Sequence, residues 1–247
     1  MVSRAMVSVL ILSLSALAQE GPKVSYVVGS GILLRGKQKI PLGVSLLCKV
    51  GDTLATSKAS RAELRYPDNT LVRLEENTRL VLALRGKASP EPALQAGKIW
   101  ANVKKVGQGG TGFGVRTPTA VAAVRGTVFG VGANDSTSKV RLYEGGVDVG
   151  STRADSALRA KAEVAGPREV SLADWVRLLR GEEVTFRRDG TWSRAKFDPK
   201  ADLADPWVKW NSQRDSVEGR PWDKDTAAVA KPSKTDSATA ERDPFKE

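Results

Sequence analysis

The residue types that could do acid–base or nucleophilic chemistry are few in this sequence, which has no histidine and one cysteine, Cys48. Histidine general-base catalysis, Cys/His zinc sites and intramolecular disulfides are therefore excluded. Four carboxylates, Asp52, Asp68, Glu75 and Glu76, could pair as the acid and nucleophile of a glycosidase. No spacing marks any pair, and Asp52 and Asp68 occupy turn-like positions where aspartates bond nearby amides. We expect no catalytic residue, no metal site and no cofactor; an enzyme using carboxylates and a metal is the contrasting class.

A glycine-rich run at residues 107–114 could suggest a phosphate-binding loop. It lacks the Gly-Lys-Ser/Thr ending of such loops, and strands rather than a helix follow it. This composition favours a hairpin loop. Lys104 and Lys105 beside it could attract an anionic glycan or lipid, although a solvated basic rim is the plainer interpretation.

β-Strands must position these residues, because apolar side chains alternate with polar ones in short segments from Val24 to Phe186. In one segment Ala62, Leu64 and Tyr66 share a face and Glu63 lies on the other. Helical periodicity is nearly absent from this region. We therefore predict an all-β domain, built as a rolled antiparallel sheet, a sandwich or a short β-helix.

A weak internal recurrence supports the same fold class. A glycine stands after a turn and opens a strand at four positions that are a few tens of residues apart: Gly51, Gly97, Gly145 and Gly181. Stacked repeats would explain this spacing, but any all-β protein places glycine before strands because glycine accepts a positive φ. Both explanations remain open at this stage.

The amino terminus has the pattern of a secretory signal peptide over residues 1–18. Arg4 precedes an apolar stretch at residues 5–17, which is too short to span a membrane, and Ala18 and Gln19 flank a cleavage point. No cysteine follows the stretch, so a lipid anchor is not expected. We predict a periplasmic or secreted protein in which Cys48, among apolar neighbours, is either buried or paired with another molecule.

The carboxy-terminal part changes character after the β domain, which we assign to residues 19–190. Residues 191–222 form a tryptophan-containing segment, in which Asp205 and Pro206 predict the start of a short helix running to Arg214. Trp207 and Trp210 lie three residues apart, so both rings could lie across the sheet. Residues 223–247 carry too few apolar side chains to form a core, which predicts a disordered tail.

The most distinctive stretch runs from Phe113 to Phe129, and its order of residues resembles the signature of the FecR domain, a bacterial extracytoplasmic module. The resemblance covers residues 44–150 well and 24–190 loosely. The positions that carry it are Gly51, Asp52, Thr56, Asp68, Phe113, Val115, Thr117, Pro118, Arg125, Gly126, Thr127, Phe129, Glu144 and Gly145.

Most of these signature positions have structural explanations. Thr117 and Pro118 end a strand, and Gly126 permits an unusual backbone angle. Arg125 stands in an apolar run, so we expect its guanidinium to satisfy loop carbonyls or a carboxylate such as Asp52 or Asp68. A role in binding an anionic ligand is the alternative for Arg125.

The best-known members of the FecR family are membrane-spanning regulators. Their cytoplasmic amino-terminal segment binds a sigma factor, and their periplasmic part senses an outer-membrane siderophore receptor. Here a signal peptide precedes the β domain in place of the sigma-binding segment and the transmembrane helix. The resemblance therefore implies an exported interaction module, not transmembrane anti-sigma activity.

The sequence predicts a non-enzymatic binding module whose partner is an envelope protein acting in assembly or signalling. The alternative is a glycan or cell-wall binder in which Trp100, Trp192 or Trp207 stacks on sugar rings. The net charge is +11, but the basic residues are interspersed with acidic ones and no nucleic-acid-binding motif occurs. Nucleic acid is therefore not an expected partner. The candidate binding residues are Trp100, Lys104, Lys105, Arg125, Trp192, Trp207 and Trp210.

Overall fold

The computed structural model describes residues 21–86, 89–105, 112–152 and 175–223. The predicted signal peptide with its cleavage point, most of the glycine-rich run and the predicted tail from residue 224 onward lie outside these ranges. Asp223, the first residue assigned to the tail, is within them and is buried beside Trp222.

Within these ranges the chain is built almost entirely of strands. They are β1 (Lys23–Val28), β2 (Gly31–Arg35), β3 (Gln38–Pro41), β4 (Thr53–Thr56), β5 (Arg61–Arg65), β6 (Leu71–Leu74), β7 (Arg79–Val81), β8 (Leu84–Arg85), β9 (Ser89–Pro90), β10 (Ala93–Asn102), β11 (Phe113–Arg116), β12 (Ala120–Val124), β13 (Val128–Ala133), β14 (Thr137–Glu144), β15 (Gly146–Ser151), β16 (Trp175–Leu179), β17 (Glu182–Arg187) and β18 (Trp192–Lys196). A 3-10 helix (Ala201–Ala204) and an α-helix, α1 (Pro206–Val217), follow. The prediction of an all-β fold with a short carboxy-terminal helix is confirmed.

All strands except the small β8–β9 hairpin join one continuous sheet that folds into two layers. The first layer has the order β1-β5-β6-β10-β13-β14-β17-β18, and the second has the order β3-β2-β4-β7-β10-β11-β12-β15-β16. Strand β10 belongs to both, since its first half pairs with β7 and its second half with β6 and β13. Towards the carboxy terminus, hairpins alternate between layers: β11-β12, β13-β14, β15-β16 and β17-β18. The fold is thus a two-layered roll.

Gly97 lies where β10 passes from one layer to the other. Its φ is +94°, and a Cβ at this position would stand 2.4 Å from the Thr78 hydroxyl oxygen. Only glycine fits such a backbone against such a neighbour. Gly51, Gly145 and Gly181 of the predicted recurrence also have positive φ values, between 78° and 92°.

The core lies between the layers and is formed by alternate residues of both. Leu54, Leu80 and Leu94 come from the second layer, whereas Leu64 and Phe129 come from the first, and none is more than 1% exposed. Cys48 joins this core and is free and fully buried, so the prediction of burial is confirmed.

The outer face of the first layer is also covered, a feature that strand alternation alone does not predict. Glu63 precedes the core-facing Leu64 and therefore points to the outer face, yet it is fully buried. Arg73 and Trp100 on neighbouring strands are buried in the same way. The covering element is the carboxy-terminal clasp, the name used here for residues 201–222. The Asp205 carboxylate accepts a hydrogen bond from the Trp207 amide at 2.8 Å, which caps α1 where the sequence predicted its start. No helix in the described ranges is long and apolar enough to cross a membrane.

Candidate functional site

The family-signature residues mostly hold turns together. Asp52 is buried and accepts hydrogen bonds from Arg35 at 2.9 and 2.6 Å and from the Lys49 amide at 2.7 Å. Burial opposes its ionisation, but these donors outweigh burial and lower the pKa of Asp52. Asp68 accepts from the amide and hydroxyl of Thr70, the geometry of an Asx turn.

The threonines and apolar members of the signature have similar roles. The Thr56 hydroxyl donates to the Glu75 carbonyl at 2.5 Å, and the Thr117 hydroxyl bridges to Ala120 across the turn that contains the exposed Pro118. Thr127 donates to the Gly146 carbonyl at 3.0 Å. Phe113, Val115 and Phe129 belong to the core between the layers, and Gly51, Gly126 and Gly145 have positive φ.

Arg125 does not contact the carboxylates expected for it. Asp52 is occupied by Arg35, Asp68 by its own turn, and the Arg125 side chain is exposed and forms no ion pair or hydrogen bond with any described residue. Arg125 lies one residue beyond the end of β12, so its side chain can reach solvent although the strand before it is apolar. Arg125 therefore remains available to solvent or to a ligand.

The other carboxylates considered for catalysis are engaged in structural contacts. Glu75 pairs with Lys98 at 3.1 Å, and Glu76 accepts a hydrogen bond from the Ala59 amide. In the parts of the chain that the structure describes, no group of three acidic or cysteine side chains could hold a metal ion.

The tryptophans named as candidate binding residues occupy three different environments. Trp100 and Trp207 are 1% and 4% exposed, so neither presents a ring face to a sugar. Trp210 is half-buried, stacked on Trp207 at 5.4 Å and covered by the Arg61 guanidinium at 4.8 Å. Trp192, on the outermost strand β18, is 51% exposed and is the one of the four that is open to solvent.

A buried ionic network fixes the clasp to the sheet. The Arg73 Nε donates to Glu63 at 2.6 Å and its Nη1 donates to Asp215 of α1 at 2.7 Å, while the Trp100 indole donates to the second Asp215 oxygen at 2.9 Å. All three charged side chains are fully buried. Burial raises the pKa of Asp215 despite Arg73 and Trp100, whereas Arg73 and the Ser25 hydroxyl outweigh burial at Glu63 and lower its pKa. Sequence reasoning missed this network, because Arg73 and Asp215 lie 142 residues apart in the chain.

Aromatic rings complete the attachment of the clasp. Tyr143 contacts Trp100 at 4.5 Å and Trp222 at 5.1 Å between ring centroids, and its hydroxyl donates to Asp202 at 2.5 Å. Val208 and Trp207 pack on the same cluster. The prediction that the rings of Trp207 and Trp210 lie across the sheet agrees with these contacts.

An open groove lies beside α1, on the outer face of the first layer. We call it the glycine trough; it has a volume of about 490 Å³, and the lining residues that matter here are Lys98, Gly130, Gly132, Lys139, Arg141 and Trp207. Gly132 of β13 pairs with Lys98 on one side and Lys139 on the other, and Gly130 pairs with Trp100 and Arg141. The side walls are therefore two strand spacings apart, roughly 10 Å.

The cations along the trough are already paired. Lys139 and Arg141 contact Glu183 at 3.1 and 2.6 Å, and Arg141 also contacts Asp202 at 2.9 Å. Lys98 pairs with Glu75. The floor of the trough is therefore exposed backbone, and the charges along its walls nearly cancel. Such a surface fits an extended chain of polar and apolar groups better than a small anion, because each cation along the walls has a partner.

The fold does not require glycine at the trough floor. Gly130 and Gly132 lack positive φ, and a Cβ at either would meet only ordinary contacts at 3.7 Å or beyond. Glycine inside a strand lowers stability by about 0.5–1 kcal/mol relative to alanine. The two glycines leave open space above the strand. Glycine at alternate positions of one strand is the sequence signal that could have predicted this space.

A second cleft lies at the opposite end of β13. This basic cleft, of about 300 Å³, is lined by Lys104, Lys105, Gly126, Glu144 and Arg220 among others. Lys104 and Lys105 are exposed, as the sequence predicted for a basic rim.

One family model matches part of the chain. Residues 52–148 match the family model described as FecR protein. Two crystal structures, at 1.65 and 2.50 Å resolution, of a "putative anti-sigma factor" from Parabacteroides distasonis are similar to this chain, each with 20% identity, a TM-score of 0.48 and 63% of this chain covered. The match spans 64% and 63% of those two chains, slightly less than two thirds of their length. No curated protein matches the sequence.

The matched range begins at Asp52 and ends at Asp148, within the 44–150 range on which the resemblance was argued. It contains the Thr117-to-Phe129 signature and both strands that form the floor and one wall of the glycine trough. Residues 52–148 of this chain are therefore similar to the FecR domain.

Proposed function

We propose that this chain is an exported, non-enzymatic binding module that acts through protein interaction in envelope assembly or signalling. The observation that carries the proposal is the glycine trough, where glycine stands at two positions that would accept a residue with a Cβ. Such residues would give a more stable strand, so the open floor is explained by an occupant. The occupant that fits is an extended segment of a partner protein.

The dimensions and chemistry of the trough support a polypeptide occupant. The floor exposes backbone at Gly130 and Gly132, so a chain could approach the sheet closely, and the lining offers both signs of charge through Lys139 and Asp205. Ala133 and the small exposed parts of Trp207 and Val208 supply its apolar surface. Mixed polar and apolar surface of this kind is typical of protein interfaces.

Site-specific cross-linking in cells tests the proposal. A photoreactive residue at Lys139, inside the trough, is compared with one at Lys37, on the β2–β3 hairpin of the other layer. We expect one partner, at defined stoichiometry and resistant to salt, to be captured from position 139 and not from position 37. Filling the trough with Gly130→Val and Gly132→Val should abolish that capture, while the matched strand variant Ala195→Val on exposed β18 should leave it intact.

Equal capture from both positions, or capture that survives filling of the trough, would refute a trough-bound partner. Recovery of cell-wall fragments in place of a protein would replace the proposal with the glycan-binding alternative, in which Trp192 is the available ring. The export step has its own test, because amino-terminal sequencing of the mature chain should begin at Gln19. A mature chain that retains residues 1–18 in the cytoplasm would contradict it.

A further inference from the structure

The basic cleft differs from the trough in how its cations are held. The side chains of the lining residues Lys104 and Lys105, and of Arg125 beside the lining residue Gly126, form no ion pair or hydrogen bond with any residue in the described ranges. Arg220 donates through Nη1 to the Asn69 carbonyl at 2.6 Å and has no carboxylate partner there. Along the trough, by contrast, each cation has a carboxylate within 3.1 Å.

Hydrogen bonds and close packing hold the backbone that carries the basic residues of the cleft. Val103 and Thr127 exchange backbone hydrogen bonds at 2.9 and 3.2 Å, which joins the two segments that carry Lys104, Lys105 and Arg125. The stem of Lys105 lies directly on Gly126, where an added Cβ would stand 2.1 Å from the Lys105 Cγ. Gly126 also has a φ of +63°, so both its backbone angle and this packing require glycine.

The clasp completes the cleft from the other side. Arg220 follows α1, and its backbone amide donates to the Asp215 carbonyl at 2.8 Å, while its guanidinium is oriented by Asn69 of the β5–β6 turn. One carboxylate, Glu144, also lines the cleft, so the lining residues Lys104, Lys105, Arg220 and Glu144 carry a net charge of about +2. Arg125, one residue from Gly126, adds a further exposed charge.

We infer that the basic cleft binds a phosphate ester, either on a soluble molecule or on a lipid headgroup. Three cationic side chains, Lys104, Lys105 and Arg220, line it without a carboxylate partner among the described residues, and a phosphate offers three acceptor oxygens and a charge of −1 to −2. A carboxylate offers two oxygens and a single charge, and matches the site less well. This site is separate from the trough, so the inference does not depend on the proposed protein partner.

Two titrations of the purified full chain test the inference and distinguish the sources. The first adds glycerol 3-phosphate and follows backbone amide shifts at Gly126 and Arg220 by NMR. The second measures sedimentation with vesicles containing phosphatidic acid, whose headgroup is a phosphate monoester, with pure phosphatidylcholine vesicles as the blank. Binding in both titrations, or in only one, supports the site and identifies the source as soluble ester or headgroup.

Matched charge variants separate a site from general attraction to a basic protein. Lys104→Gln with Lys105→Gln should weaken binding about tenfold, because two cations near the anion are lost. Lys37→Gln with Lys39→Gln removes the same net charge from the exposed β2–β3 hairpin and should change it less than about twofold. Both pairs should unfold at the same temperature as the parent chain, since none of these side chains is bonded.

No binding in either titration would overturn the inference. Equal losses for the two variant pairs would also overturn it, because they would show diffuse electrostatic attraction instead of a cleft.

Discussion

Replacing Asp215 by asparagine should release the clasp from the sheet. The substitution keeps the shape of the side chain but removes the charge that faces Arg73, and it leaves one oxygen to accept from two donors, Arg73 Nη1 and Trp100 Nε1. Breaking a fully buried ion pair by removing one partner costs about 3–5 kcal/mol. Because Arg73 keeps its 2.6 Å bond to Glu63, we expect the lower end, about 3 kcal/mol.

The assay is urea unfolding of the full chain followed by tryptophan fluorescence, with acrylamide quenching in the absence of urea. Trp100 is buried under the clasp, and Trp207 and Trp222 are buried on the side of the clasp that faces the sheet, so undocking should shift their emission and make them accessible to quencher. The matched control is Glu218→Gln. It removes a partly exposed carboxylate 2.8 Å from Arg65, just beyond the end of α1, and should cost less than about 1 kcal/mol.

Similar small losses for the two variants would refute the argument, because burial of the Asp215 pair would then make no difference. A loss seen only in quenching, without a change in global unfolding, would place the effect in local undocking of the clasp. That result would agree with the geometry, since the clasp packs on the outside of the sheet and not between its layers.

Three further outcomes follow from the described residues. Asp52→Asn should reduce the stability that the chain loses below about pH 4. The reason is that a carboxylate with a lowered pKa stabilises the fold above its unfolded-state pKa and loses that contribution as the pH falls. If the unfolding free energy, measured in urea from about pH 6 to 2, falls with pH as steeply as in the parent chain, this prediction is contradicted. Gly130→Val or Gly132→Val should raise the unfolding temperature or leave it unchanged, as a β-branched residue suits a strand; a drop of about 1 kcal/mol or more in unfolding free energy would mean that the fold does need glycine there. Cys48 should resist alkylation in the folded chain at neutral pH, because burial raises its pKa to about 12, and reaction at the rate of a free thiol, measured by mass spectrometry, would show that the site opens.

Local pattern was sufficient for much of this fold. Period-two alternation predicted the strands because a half-buried strand must direct alternate side chains to the core, and Asp205-Pro206 predicted the helix start because both residues suit its first turn. The ordered motifs from Gly51 to Gly145 predicted the FecR domain, which the match over residues 52–148 confirms. In each case the information lies within a few residues of the chain.

Tertiary structure decided what covers the outer face of the sheet and which polar groups meet there. Alternation shows that Glu63 points away from the core, but not that α1 buries it with Arg73 and Asp215. Likewise, Asp52 pairs with Arg35 and not with Arg125, because the pairing of β2 with β4 brings Arg35 to it. Both clefts arise where segments far apart in sequence converge, and packing between such segments leaves no local periodicity to read.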